Sequence, residues 1–174
     1  MTKIKDALVN KRPEIKNLIL PTIIKELNEI KYDKAIAESY HRLTEVETIG
    51  IQYKWLVLFC ADEEINGMEI SNETAICDED NRTRRLMGDD LDKIESEYGV
   101  YYKLNERAKE TDMYKVYGNF NFPVFDFTKQ EMFEYSKKFG FDDVMKLSWF
   151  CHTPTKKINH VVNAIPARQC IAKD

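Results

Sequence analysis

The chain has 174 residues, a formal net charge of −4, 43% hydrophobic residues and 11% aromatic residues. This composition excludes a disordered chain, and the acidic balance gives no electrostatic case for binding nucleic acid or an anionic membrane. The charged N-terminus argues against a signal peptide, no apolar run is long enough to span a membrane, and 4 scattered cysteines predict reduced thiols in a cytoplasmic protein.

The N-terminal third has a helical pattern. Pro13 suits a first helical turn, and apolar residues follow it at helical spacing until Pro21 kinks or splits the segment. Asp33 is the predicted N-cap of the next helix. The apolar residues of the first segment are Ile15, Leu18, Ile19, Ile23, Leu27 and Ile30, and those of the second are Ile36, Tyr40, Leu43 and Val46. Both stripes predict surfaces that pack into the core.

The middle of the chain predicts mixed α/β structure. Residues 52–61 are the most hydrophobic stretch, and they fit a buried strand or a buried helix equally well. Asn66 and Gly67 predict a turn, and residues 68–76 predict a strand. Residues 86–98 continue a helical pattern that Gly99 ends, and residues 100–121 are predicted to be irregular. The tyrosines of that region either stack on a base or pack within a loop; they are Tyr101, Tyr102, Tyr114 and Tyr117.

A cluster of acids and arginines occupies residues 78–85. A calcium loop is excluded, because Thr83 stands where such a loop needs glycine. Paired carboxylates for acid–base chemistry stay open. The favoured interpretation is a helix N-terminus, with acids first and arginines paired to them one turn later.

The C-terminal quarter has the clearest local pattern. Residues 122–127 predict a short buried strand, with Pro123 at its start. Thr128 and Glu131 match a capping box for a helix over residues 129–139, which Gly140 ends. A second short helix is predicted from residues 142–147. Two cysteines follow, and from the residues alone the favoured interpretation is a pair of unrelated thiols.

This quarter resembles the C-terminal part of 7-cyano-7-deazaguanine synthase and its phage-encoded relatives, which are PP-loop (adenine nucleotide alpha-hydrolase-like) proteins of queuosine-type metabolism. The likeness covers about fifty residues. A strand-to-helix step and a Ser-Trp-x-Cys step match at Pro123, Thr128, Lys129, Glu131, Ser148, Trp149 and Cys151, and Cys170 matches the last of the family's four zinc-binding cysteines.

The resemblance implies a degenerate zinc site. Alanines stand at two of the family's four cysteine positions, Ala164 and Ala167. His160 and His152 are the residues that could complete the tetrahedral set with Cys151 and Cys170. The alternative is a loop held by apolar packing. In either case the resemblance predicts that the two cysteines lie close together.

The resemblance also implies a fold and a function. The expected fold is a single α/β domain over residues 1–174, a partial PP-loop, Rossmann-like domain with a parallel sheet flanked by helices. Residues 1–50 would be helical, 51–127 mixed α/β, and 128–174 a helical tail with the zinc-type loop. The family's Ser-Gly-Gly-x-Asp-Ser phosphate loop is missing, and none of the 6 glycines adjoins another.

Three functions follow from this combination. The first is a divergent, non-catalytic relative of the family that acts as a binding or structural protein, with no catalytic residues. The second is the C-terminal subunit of a split ATP-dependent enzyme, whose separate partner chain completes the sheet and supplies the phosphate loop. A homo-oligomer is the other predicted assembly. The third is an unrelated small interaction protein, which a structure without a parallel-sheet strand at residues 122–127 would indicate.

Overall fold

The computed structural model describes residues 2–72, 82–147, 156–158 and 161–163. The chain divides into two compact units. We call residues 24–128 the central unit, and residues 1–23 with 129–174 the terminal unit. The mixed α/β class is confirmed, whereas the single domain over residues 1–174 stays a prediction.

The described residues form α-helices, short strands and short 3₁₀ helices. The α-helices are α1 (Thr2–Lys11), α2 (Lys34–Val46), α3 (Ile51–Asp62), α4 (Arg82–Met87), α5 (Asp112–Tyr117), α6 (Lys129–Lys138) and α7 (Asp142–Met145). The strands are β1 (Met68–Glu69), β2 (Leu91–Ser96), β3 (Gly99–Leu104), β4 (Phe120–Asn121), β5 (Lys156–Ile158) and β6 (Val161–Asn163). Short 3₁₀ helices occupy Pro13–Asn17, Leu27–Glu29 and Glu106–Ala108.

The strands of the central unit form two joined pairs. β1 and β4 are parallel, with Glu69 opposite Asn121. β2 and β3 form an antiparallel hairpin. An antiparallel bridge between Tyr102 and Phe122 links the hairpin to the residue after β4. The parallel pair is a small part of the expected sheet, and a Rossmann-like arrangement remains a proposal.

The core of the central unit lies on one face of these strands. Side chains alternate between faces along a strand, so Phe120 and Phe122 are fully buried while Asn121 between them is half-exposed. Helices α2, α3 and α5 supply the other side of the core with Tyr40, Leu43, Val57, Cys60, Met113, Val116 and Tyr117. The opposite strand face carries Asn121 and Glu69.

Helix α2 begins as the sequence predicts. The Asp33 side chain accepts a hydrogen bond from the Ile36 amide at 3.0 Å, which confirms the N-cap. Tyr40 and Leu43 are buried, as expected from the stripe. The prediction that Val46 packs into the core is wrong. Val46 is 78% exposed, because it is the last residue of the helix.

An ion pair ties α2 to α5. The Arg42 guanidinium donates to the two carboxylate oxygens of Asp112 at 2.7 and 2.6 Å, and to the Ser39 hydroxyl at 3.2 Å. The guanidinium is the main reason that the pKa of Asp112 falls to about 2. This fork-to-carboxylate geometry is among the strong forms of ion pairing.

The hydrophobic stretch at residues 52–61 is a helix, which the periodicity left undecided. It forms most of α3, and Val57, Leu58 and Cys60 are buried. The Cys60 Sγ lies 3.6 Å from the Met68 Sδ, and burial raises the pKa of the Cys60 thiol. Cys60 is a free thiol, and the expectation that the cysteines are reduced stays a prediction.

The long helix predicted after Pro13 is wrong. Pro13 does begin a turn, but that turn is a 3₁₀ helix ending at Asn17, and residues 20–26 have no regular secondary structure. Leu18, Ile23 and Leu27 of the predicted stripe are 77%, 59% and 55% exposed instead of buried. Pro21 lacks an amide hydrogen and disfavours helical geometry at the residue before it, which is why the apolar stripe does not continue as a helix.

The prediction of a helix through residues 86–98 is also wrong, and so is the prediction that residues 100–121 are irregular. Helix α4 ends at Met87, and Gly88 adopts a positive φ of 51°. The chain then forms the β2–β3 hairpin, whose turn places Gly99 at φ 125°. β3 contains Val100, Tyr101 and Tyr102, and residues of these types favour strands.

The prediction of a strand at residues 122–127 is wrong, because the strand lies before these residues. The parallel strand is β4, which ends at Asn121, and only Phe122 makes a further bridge. Residues 123–126 form a turn. Pro123 has no amide to donate to a ladder, so pairing ends where it begins. The following helix starts at Lys129, as the sequence predicts.

The terminal unit contains α1, α6, α7 and the β5–β6 hairpin. Gly140 adopts a positive φ of 71° just after α6, which matches its predicted role as the helix stop. Lys11 pairs with Asp143 at 2.5 Å. This lysine is the main cause that lowers the pKa of Asp143. Phe133, Tyr135 and Phe139 are between two fifths and one half exposed.

Among the described residues, the helices are too short or too polar to cross a membrane.

The Tyr117 hydroxyl is a weak point of the core. Tyr117 is fully buried, and no described residue hydrogen-bonds to its hydroxyl. Burial is the main cause that raises the pKa of Tyr117. A buried polar group without a partner costs about 1–3 kcal/mol, so Tyr117→Phe should raise the free energy of unfolding by about 1 kcal/mol. Urea denaturation measures this change.

Tyr40→Phe is the matched control for that variant. The Tyr40 hydroxyl donates to the Ile49 carbonyl at 3.3 Å, so its removal should not stabilise the protein. A lower free energy of unfolding for Tyr117→Phe would contradict the assignment of an unpartnered hydroxyl.

Candidate functional site

A cleft opens at one end of the strands in the central unit, and we call it the hairpin cleft. Its volume is about 270 Å³. Its eight lining residues come from the parallel pair, from the chain after β4, and from the tip of the β2–β3 hairpin. They are Glu69, Ser96, Tyr98, Gly99, Val100, Tyr101, Asn121 and Pro123.

The hairpin cleft lies at the carboxyl ends of the two parallel strands. Glu69 is the last residue of β1, Asn121 is the last residue of β4, and Pro123 follows two residues later. Glu69 and Asn121 are register partners, so parallel pairing alone brings their backbones side by side. Ligands of open α/β sheets bind in a crevice beyond the carboxyl ends of the strands. The position of this cleft therefore fits a binding site.

Strand alternation turns Asn121 and Tyr101 away from the core. Phe120 and Phe122 point into the core, so Asn121 faces the opposite side. Likewise Tyr102 packs its ring 5.5 Å from that of Phe125 in the core, and its neighbour in the chain, Tyr101, lines the cleft.

Asparagine side chains hold the chain that leads into β1. The Asn121 side-chain amide donates to the Gly67 carbonyl at 3.3 Å, and the Gly67 amide donates to the Asn119 side chain at 3.3 Å. Gly67 adopts a positive φ of 69°, which a side chain would strain. Two asparagines of the β4 segment thus brace the turn that leads into β1.

The hairpin turn supplies the other wall. The Ser96 hydroxyl donates to the Gly99 carbonyl at 2.9 Å and accepts from the Tyr98 amide at 3.2 Å. These two bonds fix the turn with serine-type local hydrogen bonding. Tyr98 at the tip is 91% exposed, so its ring is available to a ligand.

The lining of the cleft combines one charge with aromatic and polar groups. Among the described residues that line it, Glu69 is the one charged side chain, and Tyr98 and Tyr101 supply aromatic rings. Asn121 and Ser96 supply an amide and a hydroxyl. Such a mixture of rings and a few polar groups is typical of small-ligand sites.

Two other carboxylates of the central unit, Asp62 and Asp126, are committed to ion pairs. Asp62 is held by Lys25 and by Lys31, the latter at 3.1 Å, and the hydrogen bond from Lys25 is the main reason that its pKa falls to about 2. Asp126 accepts from the Tyr102 hydroxyl and lies 3.3 Å from Arg84. These pairs fix surface segments and leave Glu69 as the carboxylate of the cleft.

The residues predicted to hold zinc lie outside the described residues. Cys151, Cys170 and His160 are among them, and so is His152. Their closeness therefore stays a prediction. Within the described part of the chain, no group of three or more histidine, cysteine or acidic side chains is arranged to hold a metal ion. The acids at residues 78–80 also lie outside the description.

The four tyrosines proposed as base-stacking candidates have different environments. Tyr117 is buried in the core, and Tyr102 packs there on Phe125. The Tyr114 hydroxyl donates to Glu106 at 3.0 Å. Tyr101 alone of the four lines the hairpin cleft.

Sequence reasoning missed Glu69, Tyr98 and Asn121 as site residues. Their shared signal was weak: each is next to a turn or at the end of a strand of two residues. The Tyr98-Gly99 step between two β-forming segments was the one local feature that could have indicated a turn.

Comparison with known proteins gives no relative from which to transfer a function: no family model, curated protein or solved structure matches the chain.

Proposed function

We propose that this chain is a non-catalytic binding protein that holds its ligand in the hairpin cleft. The observation that carries the proposal is the position of the cleft at the carboxyl ends of β1 and β4, with lining residues from both strands and from the β2–β3 turn. Ligand sites are concave and combine apolar surface with a few polar groups, and this cleft has that character.

A ligand screen tests the proposal. We expect some members of a small-molecule and short-peptide library to shift the amide signals of Glu69, Gly99 and Asn121 in NMR spectra of the full chain. Val100→Trp should abolish these shifts, because a large ring at a lining position fills the cleft. Val46→Trp is the control, since Val46 is exposed on α2 and does not line the cleft.

A separate experiment tests the proposal that the chain is not catalytic. The expected result with ATP and magnesium is no release of pyrophosphate by the purified chain. Turnover that Val100→Trp removes would overturn the proposal, because the cleft would then serve a reaction. Binding shifts that survive Val100→Trp would overturn the placement of the site.

Kinship with the deazaguanine-synthase group belongs to the same proposal. It is supported by a parallel strand followed by Pro123 and by a helix starting at Lys129, the order that the resemblance implies. Against it, residues 123–126 form a turn where the parallel strand was expected. That finding favours an unrelated interaction protein, and a binding role follows from either origin.

A split enzyme is the second candidate, and one observation favours it. Among the described residues β1 pairs only with β4, so the outer edge of β1 has no strand beside it. An open edge of a sheet can pair with another chain. Co-purification with a neighbouring gene product that carries the Ser-Gly-Gly-x-Asp-Ser loop, and pyrophosphate release by the pair, would establish this role; the lack of any such neighbour would end it.

A further inference from the structure

We infer that the ligand of the hairpin cleft is an organic cation, a guanidinium or an alkylammonium group. This inference rests on the proposed function, since it names the chemistry of the group that the cleft would bind. Three features carry it: the charge of the lining, its aromatic rings and its size.

The charge of the cleft is negative and uncompensated. Glu69 is exposed, and no cation pairs with it among the residues that the structure describes. Glu95 and Glu97 flank Ser96 in the hairpin turn and are exposed as well. Lys103 is the nearest cation along β3, but its register partner on β2 is Asp92, which offsets its charge.

The rings of the cleft add a second attraction for a cation. Tyr98 and Tyr101 both line the cleft, and Tyr98 is 91% exposed. The face of a tyrosine ring is negative, so it attracts a guanidinium or ammonium group placed over it. A carboxylate beside two rings therefore favours a cation over a neutral or an anionic group.

The size of the cleft limits the ligand. A volume of about 270 Å³ lies just below the usual range of ligand pockets, about 300–1,000 Å³. A cleft of this size suits one side chain or a small amine. An arginine or lysine side chain of a peptide and a free small amine share the required chemistry.

NMR titration of the full chain with matched probes tests the inference. The probes are N-acetyl-arginine methylamide, its uncharged isostere N-acetyl-citrulline methylamide, and N-acetyl-glutamate methylamide. We expect the arginine probe to shift the signals of Glu69, Gly99 and Asn121. It should bind at least about tenfold more tightly than the citrulline probe, because the uncharged citrulline cannot form the charge-assisted hydrogen bond. The glutamate probe should not bind.

Two variants separate the charge from the fold. Glu69→Gln should weaken binding of the arginine probe about tenfold and leave the citrulline probe unchanged. Glu110→Gln is the control, because it changes the net charge equally at an exposed residue outside the cleft. Tyr98→Ala should weaken binding of the arginine probe about threefold, because it removes one aromatic ring from the cleft.

A comparison of butylamine with the tripeptide Ala-Arg-Ala distinguishes free cations from cations carried by peptides. Tighter binding of the tripeptide assigns the site to peptides. Equal or tighter binding of butylamine assigns it to small amines. Equal shifts with arginine and citrulline probes, or no effect of Glu69→Gln, would overturn the inference while cleft binding stands. Absence of any shift by the cationic probes would overturn it too. The library screen with Val100→Trp decides the proposed function separately.

Discussion

Phe122→Ala should lower the free energy of unfolding by about 3–5 kcal/mol, the usual cost of emptying a buried phenylalanine site. Phe122 is fully buried, and its ring lies 5.6 Å from that of Phe125. Its backbone also bridges to Tyr102, so the residue joins the parallel pair to the hairpin. The cavity left by the ring cannot close unless the parallel pair and the hairpin both move. Equilibrium denaturation in urea measures the loss.

Phe133→Ala is the control for that substitution, because it removes the same ring from a site that is 41% exposed. We expect it to cost less than about 1 kcal/mol, since its ring keeps much of its contact with water. Similar losses for the two variants would contradict the assignment of Phe122 to the core.

Arg42→Met should measurably lower the free energy of unfolding at neutral pH. The loss is moderated because the Arg42 side chain is half-exposed and water screens the pair. The substitution keeps an unbranched side chain and removes both hydrogen bonds to Asp112. Thermal or urea unfolding of the two proteins, compared at pH 7, gives the difference.

The pH dependence identifies the cause of that loss. The folded pKa of Asp112 is about 2, whereas a free aspartate has a pKa of about 3.9. A lowered folded pKa contributes stability above the unfolded value and loses it as pH falls through the folded value. The difference between wild type and Arg42→Met should therefore be constant above about pH 5 and shrink between pH 4 and pH 2.

Lys109→Met is the control for the pH series. Lys109 is exposed and pairs with Glu106 at 3.6 Å. Exposed pairs of this kind contribute at most about 1 kcal/mol, so the variant should change stability little at any pH. A constant loss for Arg42→Met down to pH 2 would show that packing, and not the ion pair with Asp112, is responsible.

Local signals in the sequence predicted the elements that local physics determines. Asp33 starts α2 because its side chain satisfies an amide of the first turn, and Gly140 follows the end of α6 because it adopts a positive φ without strain. Both effects depend on a few adjacent residues. They could therefore be recognised without knowing what the helices pack against.

The hairpin and the parallel strand could not be predicted in the same way. Leu91 and Ile94 are three residues apart, a spacing that suits a helix, and only pairing with β3 makes them part of a strand. β4 has two residues, so its length gives no periodic pattern. The hairpin cleft was missed for the same reason: Glu69 and Asn121 meet through pairing between distant segments.

The order in which these pairs can form has a kinetic consequence. The hairpin joins adjacent segments through a turn of two residues, and such hairpins close within about 1–10 μs. The β1–β4 pair instead unites segments on either side of the hairpin and α5, and contacts between remote segments slow folding. Closure of β1 on β4 is thus expected to follow formation of the hairpin, so the pocket would be absent from any intermediate that precedes this closure.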